Sequence, residues 1–170
     1  MNNRVYDIPW KEKQYNGTVY RSTLEARWAV FLDALKILHT YEKKVFYFQE
    51  FYGTPSYVYH PDFALLDCPY NYLEIKPTPP TPDEYAKCIA VSKRNAKIAL
   101  LAGPVHPEKI GVFLFENGRR VYPETNAWFY VQCATLGISW EQGQRIASLK
   151  AVFGKRDYTK GFKAAWEAFK

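Results

Sequence analysis

Tyr57-Val-Tyr-His-Pro61-Asp62-Phe63-Ala-Leu-Leu66 and Asn71-Tyr72-Leu73-Glu74-Ile75-Lys76, on either side of a turn at Asp67-Cys68-Pro69, decide how the chain is read. Both arms are rich in Tyr, Val, Phe, Leu and Ile, with turn residues between them, which predicts a β-hairpin. Strand side chains alternate, so Glu74 and Lys76 share one face and Ile75 takes the other. If the turn pairs Leu66 with Tyr70, Asp62 falls opposite Glu74; a slip of one residue would undo this, and the register stays open. Two carboxylates side by side in an apolar sheet repel, and burying them is costly. A divalent cation removes the conflict, and Mg²⁺ favours one or two carboxylates with water and a phosphate. Lys76 beside them would hold a water or face a phosphate. These parts suit metal-dependent phosphodiester hydrolysis. They also suit an exposed hairpin with a Glu–Lys pair on its wet face, and the neighbours must decide.

At 170 residues the chain is read as one domain with a sizeable core. No run approaches ~20 apolar residues, so no membrane span is expected, and Met1-Asn-Asn-Arg-Val-Tyr-Asp7 lacks the apolar region of a secretory signal. Cys68, Cys88 and Cys133 are widely spaced, without a C-x-x-C, and read as reduced thiols in a cytosol rather than disulfides or a zinc site. His39, His60 and His106 are scattered and assigned to no metal. The net charge of +6 suits a polyanion partner, and the 18% aromatic content leaves some Tyr and Trp to stack on bases. There are no repeats or low-complexity segments.

Upstream, residues 1–19 read as irregular or as a short edge strand, with a turn signal at Asn16-Gly17. Ser22-Thr-Leu-Glu25 has the form of a capping box, and Leu24, Trp28, Phe31, Leu32 and Leu35 recur on one face of a helix ending near Leu35. Glu25 has two open readings: it caps that helix, or it reaches the Asp62/Glu74 site. His39–Lys44 and Val45–Phe48 read as a strand feeding the hairpin, and Gln49–Gly53 as a turn; Glu42 and Glu50 read as solvated.

Downstream, proline after Lys76 ends the strand. Thr81, Pro82 and Glu84 open a second helix with a capping box, running to about Asn95, and Lys97–Leu101 reads as a buried strand. Strand, helix and strand from Glu74 to Leu101 form a βαβ crossover with parallel strands. Asn117-Gly118 predicts a hairpin joining Ile110–Phe115 to Arg119–Tyr122. Segments near 126–135, 140–152 and 159–169 have helical spacing. Lys150, Lys155, Arg156, Lys160 and Lys163, with Tyr158, Phe162 and Trp166 among them, contact phosphate or merely solubilise the tail.

The order helix with Glu25, strands with Pro61-Asp62 and Glu74-x-Lys76, helix, strand resembles the PD-(D/E)xK nuclease superfamily, and small phage- and prophage-type members most. Tyr20-Arg-Ser-Thr-Leu-Glu25-Ala-Arg-Trp-Ala-Val-Phe-Leu32, His60-Pro-Asp62-Phe63 and Leu73-Glu-Ile-Lys76-Pro77 carry the resemblance, over about residues 18–104. It implies an α/β fold with a restriction-endonuclease-like core, an α-β-β-β-α-β mixed sheet flanked by helices. That core would span 1–125, with a basic helical extension over 126–170 packed on the same domain. Asp62, Glu74 and the Ile75 carbonyl would hold Mg²⁺ or Mn²⁺, Glu25 would help a second ion or a water, and Lys76 would position the attacking water. The partner would be DNA and the setting a cytoplasm, that of the host if the chain is phage-encoded. Junction resolution would require a homodimer. The proline run directly after Lys76 departs from the superfamily at large and bears on substrate entry. The alternative is a silent nucleic-acid-binding or interaction module on a nuclease scaffold.

Overall fold

A computed structural model describes residues 11–49, 56–123, 134–137 and 139–169. The turn expected at Gln49–Gly53 falls mostly outside these residues, as do the first ten residues, Cys133 and most of the helix expected at 126–135.

The fold is mixed α/β. A six-stranded sheet runs in the order β10-β9-β8-β7-β6-β3, with β3 His39–Tyr41, β6 Phe63–Leu65, β7 Tyr72–Lys76, β8 Ile98–Ala102, β9 Gly111–Glu116 and β10 Arg119–Val121. The β7–β8 pair is parallel and the other pairs are antiparallel. Helix α2, Pro82–Ser92, makes the expected crossover between the parallel strands. Its capping box is complete: the Thr81 hydroxyl accepts from the Glu84 N–H, and the Glu84 carboxylate accepts from the Thr81 N–H. The expected end near Asn95 comes slightly early, at the cap Lys93.

Side-chain alternation divides the core into two layers. Leu73, Ile75, Ala99, Leu101 and Leu114 face α1 (Thr23–Ala34), α3 (Trp140–Phe153) and α4 (Tyr158–Glu167). Ile98, Leu100, Ala102 and Phe115 face α2 and a separate ribbon, β4 (Phe46–Phe48) paired with β5 (Tyr57–Tyr59). Two hairpins close on Asn-Gly turns. Asn16 and Gly17 join β1 (Lys13–Tyr15) to β2 (Thr18–Tyr20), and Asn117 and Gly118 join β9 to β10. All four residues have φ between 47° and 75°, the left-handed geometry that a two-residue hairpin turn requires.

The decisive hairpin needs correction in its first arm. It keeps the expected register, Phe63 against Leu73 and Ala64 against Tyr72, but its strand begins only at Phe63. Tyr57–Tyr59 belongs to the other ribbon, paired with Phe46–Phe48. The expected single strand feeding the hairpin is likewise two elements in two sheets, β3 beside β6 and β4 beside β5. The break lies at His60-Pro61-Asp62. Proline has no N–H to give a ladder, and Asp62 turns its side chain to the neighbouring strand instead.

The aromatic residues among the tail's basic side chains are not alike in their setting. Tyr158 and Phe162 are buried in the first core layer, with the Phe162 ring 4.9 Å from that of Phe31. Phe162 holds α4 to α1 and Tyr158 holds it to α3, so neither is free to stack on bases. Trp166 stays exposed, as do Lys150, Lys155, Lys160 and Lys163, while Arg156 pairs with Asp67 at 2.9 Å.

Candidate active site

Continuing the β6–β7 register by one residue puts Asp62 opposite Glu74, in a position where cross-strand side chains lie close together. Both are buried, 3% and 7% exposed. The Asp62 Oδ2 accepts a 2.6 Å hydrogen bond from the Ile75 N–H, taking the place that a backbone carbonyl would hold had β6 continued. Its Oδ1 lies 2.9 Å from Arg21 Nη2. Glu74 Oε1 lies 2.7 Å from Lys76 Nζ, and Glu74 Oε2 accepts a 2.6 Å hydrogen bond from the Tyr59 hydroxyl. Lys76 also lies 3.5 Å from Glu84, at the start of α2. Ile75 packs its side chain into the opposite core layer, so Glu74 and Lys76 share a face as the alternation requires.

Glu25 resolves into a role between its two readings. Ser22 caps α1 by accepting from the Glu25 N–H at 3.1 Å. The Glu25 carboxylate does not return the bond to the Ser22 backbone, as a full capping box would. It accepts from the Ser22 hydroxyl at 2.9 Å and from the Tyr41 hydroxyl, and it is 6% exposed. Tyr41 lies on edge strand β3, and its oxygen also accepts from the Arg21 N–H at 3.1 Å. Glu42, expected to be solvated, closes the ring with Oε1 2.5 Å from Arg21 Nη2.

The electrostatics follow from this crowding. Burial, then the Glu74 charge, then that of Glu25 push the Asp62 carboxyl well above the usual carboxylate range, against the pull of the Ile75 N–H and Lys76. Burial and Glu74 likewise raise the Tyr59 hydroxyl well above its usual value, so it stays a donor. Burial alone would lower Lys76, but the carboxylates of Glu74, Asp62 and Glu84 outweigh it and raise its pKa. Cys88 on α2 is pushed up to about 12, by burial and then by Glu74, so it is a neutral thiol beside the site.

The structure therefore brings Asp62, Glu74 and Lys76 together at one end of the sheet, with Glu25 near enough to act on Asp62 through space. Sequence reasoning missed Arg21, Tyr41 and Tyr59, three residues whose side chains supply further donors to the buried carboxylates. The signals were present but weak: Arg21 directly precedes the N-cap Ser22, and Tyr59 lies three residues before Asp62.

The donors that converge here are carboxylate oxygens, the set that Mg²⁺ and Mn²⁺ prefer. A buried carboxyl whose ionisation a neighbouring carboxylate opposes, as Glu74 opposes that of Asp62, is the setting that a cation relieves, so the residues fit such an ion. As they stand, the oxygens of Asp62 and Glu74 carry protein donors. Among the described residues no group of three or more His, Cys, Asp or Glu is arranged to hold a metal. No helix among them is long and apolar enough to cross a membrane. No protein-family model, no curated protein and no solved structure matches the chain.

Proposed function

We propose that the chain is a metal-dependent DNA endonuclease of the PD-(D/E)xK, restriction-endonuclease-like type, hydrolysing phosphodiester bonds with Mg²⁺ or Mn²⁺. The observation that carries this reading is the meeting of Asp62, Glu74 and Lys76 at one end of the β6–β7 pair, the two carboxylates buried and Lys76 Nζ 2.7 Å from Glu74. The order α1, β3, β6, β7, α2, β8 supports it, since it runs as an α-β-β-β-α-β unit once the β4–β5 ribbon is set aside.

Asp62 and Glu74, with the Ile75 carbonyl, would hold the ion, and Glu25 would hold a water or a second ion at its edge. When bound, such an ion lowers the pKa of its water and clamps a phosphate oxygen. Lys76 holds the attacking water and neutralises the charge that grows on the phosphate as the water oxygen bonds to phosphorus and the leaving oxygen departs. Tyr59 keeps Glu74 aimed, and the Ile75 N–H does the same for Asp62. The exposed Lys150, Lys155, Lys160 and Lys163 lie on α3, α4 and the turn between them and suit a polyanionic backbone.

A second reading, a silent nucleic-acid-binding module on a nuclease scaffold, is favoured by the protein donors already on Asp62 and Glu74. Incubating plasmid, linear DNA and a four-way junction with Mg²⁺ or Mn²⁺, with and without chelator, separates the two. Chelator-sensitive cleavage that Lys76→Ala removes supports the nuclease. Binding without cleavage under either metal supports the silent module.

A further inference from the structure

Arg21 has no part in the chemistry above, yet it sits on the reacting end of the site. It lies between β2 and the N-cap of α1, with its backbone N–H fixed to the Tyr41 hydroxyl. A single nitrogen, Nη2, lies 2.9 Å from Asp62 Oδ1 and 2.5 Å from Glu42 Oε1. The arginine side chain is 45% exposed, over an Asp62 side chain that is only 4% exposed. Arg21 is thus the solvent-side cover of the buried carboxylate, and Glu42, 30% exposed, is a second seat for the same group.

A guanidinium and a divalent cation carry like charge and cannot both sit against one carboxylate oxygen at bonding distance. Resting on the metal-site reading, we infer that Arg21 is a positioning residue that gates ion entry. It is the counter-ion resident on Asp62 Oδ1, it must leave that oxygen for a divalent cation to bind, and Glu42, already 2.5 Å from the same nitrogen, is the seat that retains it. The anchored backbone and the long, exposed side chain allow the move without unfolding β2 or α1. Such a gate makes Glu42, outside the proposed ligand set, a determinant of metal affinity.

The test is calorimetric titration of Mn²⁺ into the full chain without DNA, comparing wild type, Arg21→Gln, Glu42→Gln, the double variant and Asp62→Asn, each checked for a folded circular-dichroism spectrum. Arg21→Gln should bind Mn²⁺ about tenfold more tightly, because the competitor is gone. Glu42→Gln should bind severalfold more weakly, because the displaced guanidinium has lost its seat. In the Arg21→Gln background the Glu42 substitution should change nothing. If the two effects instead add, the groups act as independent charges and the gate is overturned. The same holds if Arg21→Gln binds no more tightly than wild type. Should Arg21→Gln fail to fold, Glu42→Gln alone decides: unchanged or tighter binding overturns the gate. Wild-type binding that Asp62→Asn abolishes, but that is indifferent to Arg21 and Glu42, leaves the metal site standing and removes the gate alone. No Mn²⁺ binding by wild type removes both.

Discussion

Asp62 and Ile75 are joined by a 2.6 Å hydrogen bond from the Ile75 backbone N–H to the Asp62 carboxylate. This fastens an acidic side chain at the start of β6 to the residue between Glu74 and Lys76 on β7. The acid in the bend before β6 is therefore tied directly to the strand that carries Glu74 and Lys76. The consequences can be measured one side chain at a time.

Lys76 is the residue whose loss should separate chemistry from binding. Its ammonium touches Glu74 and Glu84 but lies only partly buried, so truncation leaves the sheet intact. Lys76→Met should lower single-turnover plasmid cleavage by about 10²–10³, the scale for removing one positioned electrostatic stabiliser. Binding of a labelled duplex, read by fluorescence anisotropy in Ca²⁺, should stay within a few-fold of wild type. Parallel loss of binding and cleavage would mean that Lys76 serves binding only.

Asp62 should make the ion-free protein less stable as the solution becomes more alkaline. Its carboxyl is raised in the fold by burial and by Glu74 and Glu25. Its contribution is thus fully present below the ordinary carboxylate value of about 3.9 and is lost as pH rises through the higher folded value. With chelator present, wild type should lose melting temperature relative to Asp62→Asn as pH rises above the ordinary carboxylate range. Saturating Mg²⁺ or Mn²⁺ should reverse the order. An ion at about 100 times its Kd adds ~2.7 kcal/mol, or about 5–10 °C for a chain of this size, and Asp62→Asn should gain none of it. Thermal melts across pH, with and without the ion, check both halves.

What the sequence made legible was what local chemistry dictates. Thr81-Pro82-Asp-Glu84 specified a cap and Asn117-Gly118 a hairpin turn, while the register that would pair Leu66 with Tyr70, left open by the sequence, is the one that Phe63 and Leu73 adopt. The division of Tyr57–Leu66 between two sheets was not legible, because β-favouring residues lie on both sides of His60-Pro61-Asp62 and only the lost proline N–H hints at the break. Arg21, Tyr41 and Tyr59 were not legible as partners of the acids because they meet them across 15 to 41 residues of chain, with no spacing rule to mark them. The packing of Tyr158 and Phe162 could have been read better: with Ala165 they form an i, i+4, i+7 apolar stripe, which marks a helix facing a core.

Tyr59 should matter to stability before it matters to chemistry. Its hydroxyl donates to Glu74 Oε2 at 2.6 Å in a buried setting. Tyr59→Phe removes the donor and leaves a charged acceptor short of a partner, a loss of about 1–3 kcal/mol. Urea denaturation in chelator should show a lower midpoint with an unchanged m-value. An ion on Glu74 would replace the missing donor, so the deficit should shrink when Mn²⁺ is added. A deficit that ignores Mn²⁺ would place the ion away from Glu74.

The tail can be divided into a packing face and a charged face. A Cβ at Gly161 would lie 2.7 and 2.8 Å from two atoms of the Phe31 ring and 3.1 Å from Leu35 Cγ. Phe31 is itself fully buried against Trp28, Phe153 and Phe162, so the ring has little room to move. Overpacking of this kind costs about 1–3 kcal/mol, and the better helix propensity of alanine returns at most ~1 kcal/mol. Gly161→Ala should therefore lower the melting temperature by a few degrees. Replacing Lys150, Lys155, Lys160 and Lys163 together by Ala touches only exposed positions and should leave the melting temperature nearly unchanged. If these lysines neutralise phosphates, removing each one that does so should flatten the dependence of log affinity on log salt by about 0.9 for duplex DNA. An unchanged salt slope would assign the lysines to solubility and leave DNA binding to the surface around Asp62 and Glu74.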